Sequence, residues 1–87
     1  MGMTFEKLSG PIYPAYLRVG DYSIALEPEL IQSLQEHLHK EAAKFLEMLI
    51  EKVAVNRYLR EMIQAEIGEG TDQEAIIGGL KVGLRAL

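Results

Sequence analysis

The sequence predicts an α+β fold, mostly helical: an N-terminal β-hairpin, a long and bent amphipathic helix, and a short C-terminal helix. Three observations carry that prediction. Residues 13–26 alternate in polarity about a Gly-Asp pair. Residues 29–67 contain neither glycine nor proline, and apolar side chains recur there every three or four positions. Gly68-Glu69-Gly70 then joins a helix stop to a helix start at Thr71.

Residues 1–12 read as an irregular lead, anchored by Phe5 and Leu8, with turn chemistry at Ser9-Gly10-Pro11. The hairpin follows. A two-residue turn at Gly20-Asp21, glycine first, fits a type II′ geometry. It sets Val19 against Tyr22, Arg18 against Ser23, Leu17 against Ile24 and Tyr16 against Ala25. One face then collects Leu17, Val19, Tyr22 and Ile24, the other Tyr16, Arg18, Ser23 and Ala25. Turn and two-sided pattern agree on one register. Pro14 stands just before the first strand, where a missing N–H does least harm.

Glu27-Pro28-Glu29 opens the long helix, expected over 28–67. Proline suits the first helical position, and the acids suit the positive end of the dipole. The apolar stripe is Ile31, Leu34, Leu38, Ala42, Phe45, Leu49, Val53, Ile63 and Ile67. About 40 helical residues would span roughly 60 Å, twice the diameter of about 30 Å expected for a compact chain of this size. The helix must break, or a second chain must cover the stripe. The expected break is Val53-Ala54-Val55-Asn56, where β-branched residues weaken the helix and asparagine can cap a new one. A second reading of Asn56 is a polar residue inside a dimer stripe, paired with its mate to fix register.

The C-terminal helix is expected over 71–87, with Thr71 and Glu74 as a capping box. Ala75, Gly79 and Gly83 are four apart and form a small-residue packing edge beside Ile76, Leu80, Leu84 and Leu87. Each glycine costs a helix about 1 kcal/mol against alanine, which close approach of another element would offset.

All 87 residues form a single domain by length. Apolar residues are 48% and charged residues 25%, a globular balance that excludes a fully disordered chain. The chain has no cysteine, which excludes a disulfide framework and a thiolate zinc site. The net charge of −4 argues against nonspecific binding to nucleic acid or anionic lipid. The first residues lack a basic start followed by an apolar run, so no signal peptide is expected and the location is expected to be cytoplasmic.

Chemistry-bearing patterns are sparse. His37 and His39 project to opposite sides of a helix, so they cannot chelate one metal within a chain. Glu36-x-x-His39 has the spacing of half a carboxylate-bridged di-iron site, but the second half is missing. Gly68-x-Gly70 lacks the third glycine and the preceding strand of a phosphate loop. Only Ser9, Ser23 and Ser33 offer a serine nucleophile, and nothing sets one beside a histidine and an acid. No catalytic residue, cofactor or metal is expected.

The expected function is therefore a non-enzymatic, homodimeric interaction or accessory module. Its partners would be a second copy and an unidentified protein, without a membrane. Leu38, Phe45, Leu49, Val53 and Asn56 would form the dimer interface. The alternative is a small dimeric DNA-binding regulator. Tyr22 to Ile31 has the strand-then-helix opening of a ribbon-helix-helix, and Leu49–Ile63 loosely matches a helix-turn-helix with Lys52, Arg57 and Arg60 as DNA contacts. Gathering of these with Lys81 and Arg85 on one face would favour that alternative. A deep pocket at Tyr13, Tyr16 or His39 would favour a third reading, a small ligand binder or enzyme.

Overall fold

The computed structural model describes residues 3–7, 13–68 and 73–87. Strands β1 (Met3–Lys7), β2 (Ala15–Val19) and β3 (Tyr22–Leu26) form one antiparallel sheet in the order β1-β2-β3. Helices α1 (Pro28–Gln35), α2 (Ala42–Val53), α3 (Arg57–Gly68) and α4 (Gln73–Arg85) follow. The fold is α+β and mostly helical, with extents of 36 × 27 × 21 Å.

The hairpin has the register expected from its turn: Val19 opposes Tyr22, Leu17 opposes Ile24 and Ala15 opposes Leu26. Gly20 has φ 59°, and no described non-glycine residue has positive φ. Positive φ at the first turn position alone is what a type II′ turn requires.

The lead is not irregular throughout. Met3–Lys7 is a strand, with Met3 opposite Val19 and Phe5 opposite Leu17. Its alternation of Met3 and Phe5 with Thr4 and Glu6 is too short to declare itself, because no tight turn joins it to its pairing partner, which runs from Ala15 to Val19. Leu8, Ser9, Gly10 and Pro11 lie outside the described residues, as do Gly70 and the Thr71 cap.

The sheet has two unlike faces. Met3, Ala15, Leu17, Val19 and Leu26 turn inward and are buried, with Ile24 and Phe5 partly so. Glu6 and Arg18 turn outward and pair at 3.4 Å. The helices pack on the inner face: α3 on β1 and β2, and α4 on β1, α1, α2 and α3.

The long helix is three helices, not one bent helix. One break falls where expected. α2 ends at Val53, Ala54 is extended (φ −79°, ψ 97°), and the Leu59 N–H donates to Asn56 Oδ1 at 2.8 Å. Asn56 thus caps α3, since Leu59 is the third residue after the cap. The other break, at 36–41, carries no glycine or proline. It is held by local backbone bonds, with the Lys40 N–H donating to the His37 carbonyl at 3.1 Å, and from outside the segment. Lys81 on α4 donates its ammonium to the Lys40 carbonyl and lies 5.1 Å from the Phe45 ring centroid. Gln35 Nε2 donates to the Leu84 carbonyl at 2.8 Å, occupying one of the last carbonyls of α4. Folding the stripe back on itself twice lets one chain bury it.

Candidate functional site

The residues expected at a helical dimer interface are distributed otherwise. Phe45, Leu49 and Val53 are 0%, 2% and 3% exposed in the single chain, and Leu38 packs partly buried beside them. They form its core, together with Leu34, Ile63, Ile77 and Leu84. Asn56 is exposed and serves as the α3 cap, so it is not buried inside an apolar seam. The double break in the helix is the physical reason: the stripe covers itself, and the need for a second copy along it disappears.

The basic residues do not make a uniform face. Arg57 pairs with Glu61 at 3.2 Å along α3. Arg60 shares an open cleft with Glu47 and Glu51, and Lys52 shares another with the same two acids. Lys81 is engaged by the Lys40 carbonyl, and Arg85 is exposed in the last turn of α4. Alternating charge of this kind cancels the field that a phosphate backbone would need.

Candidate ligand groups are equally dispersed. His37 Nδ1 is buried without a hydrogen-bond partner, beside Lys40, Lys44 and Lys52 and opposed by Glu47 and Glu51. His39 is exposed. Tyr13 meets Tyr16 edge-on at 6.2 Å and lines an open cleft of about 260 Å³ with Glu27, Pro28 and Glu29. Among the described residues, no group of three or more His, Asp or Glu converges to hold a metal ion. No described helix is long and apolar enough to cross a membrane.

The small-residue edge of α4 splits into two behaviours. A Cβ on Gly83 would come within 2.5 Å of the Phe5 ring, so this glycine seats β1 against the helix. A Cβ on Gly79 would meet nothing within 4 Å, and Gly79 and Ala75 line an open groove between α4 and β1.

What remains is an apolar surface at the corner of the sheet. Tyr22, Tyr58 and Val55 are 49%, 65% and 85% exposed, and Val82 on α4 is 62% exposed. The Tyr22 and Tyr58 rings meet at 6.4 Å, nearly edge to face, and join the start of β3 to the start of α3. Val55 lies one turn before Tyr58 in the α2–α3 connection. Tyr22 shares the hairpin face of Leu17, Val19 and Ile24, as the alternation predicts, but stands half-exposed at the edge strand. Tyr58 and Val55 lie off the apolar stripe, and that departure was their only signal in the sequence.

No known protein family, curated protein or solved structure matches this chain. The fold is that of a small α+β domain whose exposed large apolar side chains, among the described residues, are Tyr22, Val55, Tyr58 and Val82.

Proposed function

We propose that the protein is a non-enzymatic interaction module that works as a homodimer and presents a surface to a further protein partner. The observation that carries this reading is the Tyr22–Tyr58 pair, two large side chains that meet ring to ring while 49% and 65% exposed. Contiguous exposed apolar surface marks association sites more often than it is left idle, and tyrosine is the residue type enriched at such sites. The helical stripe is not the contact in this reading, because the chain consumes it internally. The alternative of DNA binding draws no support from Lys52, Arg57 and Arg60, which are interleaved with Glu47, Glu51 and Glu61.

The test is sedimentation equilibrium of the wild-type protein up to high micromolar concentration. A dimer is expected. A folded monomer throughout that range overturns the reading.

A further inference from the structure

We infer that the Tyr22–Tyr58 corner receives an arginine-bearing segment of another protein. The guanidinium stacks on the tyrosine rings and pairs with the carboxylates of Asp21 and Glu66. This rests on the interaction-module reading above and names the chemistry of its further partner.

The hairpin tip lies along one face of α3, and two contacts fix it there. Tyr22 meets the Tyr58 ring at 6.4 Å, with 62° between the ring planes. Two residues earlier, a Cβ built on Gly20 would stand 3.1 Å from Glu66 Oε1. Tyr58, Met62 and Glu66 are four apart on the helix and share that face. Met62 is partly buried against the core, so the face offers rings at one end and a carboxylate at the other. Asp21, between Gly20 and Tyr22, is exposed. An exposed aromatic pair thus has a carboxylate from the turn and another from the helix beside it.

The corner is negative and uncompensated. Neither Asp21 nor Glu66 forms an ion pair with a described residue. Arg57, next to Tyr58 in the chain, is already paired with Glu61 at 3.2 Å. Arg60, two residues beyond Tyr58, is about 200° round the helix and faces the cleft with Glu47 and Glu51. The net charge of −4 adds a field that draws a cation in.

Rings beside unpaired carboxylates select one kind of side chain. The face of a tyrosine attracts a cation through its quadrupole, and a guanidinium also stacks flat on it. Its N–H donors stay in the ring plane and suit a carboxylate at the margin. A lysine ammonium is a point charge with no face to stack. A phosphate-bearing or acidic partner is repelled by the same two carboxylates. A second copy meeting this corner about a two-fold would set Asp21 and Glu66 against themselves, so the corner serves a different protein.

Amide NMR of the isotope-labelled protein, titrated at physiological salt with a hexapeptide of alternating arginine and leucine, tests it. Saturable shifts are expected at Gly20, Asp21, Tyr22, Tyr58 and Glu66. The same peptide with citrulline for arginine, uncharged and alike in shape, should leave them unmoved. Tyr58→Ala should weaken binding about three- to tenfold, and Asp21→Asn about two- to fivefold. Glu29→Gln, at the Tyr13 cleft, should bind as the wild type does. Binding that ignores Tyr58→Ala and Asp21→Asn, or that is equal for the citrulline peptide, overturns arginine recognition here. Shifts centred on Tyr13 and Glu29, or no shifts at all, overturn it too. Corner resonances that move with protein concentration alone would give the corner to a second copy and also overturn it. If Tyr58→Ala loses its helical signal, Asp21→Asn and the citrulline peptide decide. The homodimer is judged separately by sedimentation: a dimer that fails to bind the peptide keeps that reading, and a monomer that binds it overturns the dimer alone.

Discussion

At the scale of single residues, glycines divide by what a Cβ would meet. Gly20 occupies φ 59° in the hairpin turn, with the Glu66 carboxylate 3.1 Å from a built Cβ. Gly20→Val should cost more than about 1 kcal/mol, because a β-branched side chain is strained in that region; urea denaturation measures it. Gly83→Ala should cost about 1–3 kcal/mol by driving into the Phe5 ring. Gly79→Ala has open space and should stabilise by up to about 1 kcal/mol through helix propensity. Opposite signs for two glycines one turn apart, read from paired melts, check the packing of β1 on α4. Equal effects would show that Phe5 does not seat there. Asn56 is the other decisive residue. Asn56→Ala should cost about 1 kcal/mol and Asn56→Asp almost nothing, since either oxygen can accept from the Leu59 N–H.

At the scale of elements, legibility in the sequence followed the range of the forces involved. The hairpin was legible to the residue, because a turn, an alternation and a register are all local. The α2–α3 break was legible for the same reason: Val53, Val55 and Asn56 act on their own backbone. The α1–α2 break was not, because Glu36 to Glu41 contain no breaker, and beside its local backbone bonds the turn is tied down by Lys81 and Gln35, whose partners are more than 40 residues away. β1 was missed likewise, its identity resting on a distant strand. The candidate surface was half legible: Tyr22 and the β3 pattern were visible, whereas Tyr58 joins them only through the helix break. Lys81→Met should therefore cost about 1–2 kcal/mol, losing a hydrogen bond to a charged donor and a cation over Phe45. Hydrogen exchange should accelerate most at residues 36–41. Uniform acceleration would argue against a clamp at that turn.

At the scale of the whole molecule, the core belongs to one chain. Phe45 is fully buried between the helices, and Phe45→Ala should cost about 3–5 kcal/mol. At concentrations where the protein is monomeric, that loss should not vary with protein concentration. A concentration-dependent loss would return the stripe to an intermolecular role. α4 is the element that closes this core: Ile77, Leu80 and Leu84 are buried, and the helix packs on β1, α1, α2 and α3. On the ribosome, the strands and first three helices emerge before it. With the lid of the core still unmade, the nascent chain holds Met3, Leu34 and Phe45 only in part-formed packing. Protease resistance should thus appear abruptly once α4 clears the exit tunnel, not in steps with each preceding helix, and stalled chains that end near Gly68 should remain readily cleaved.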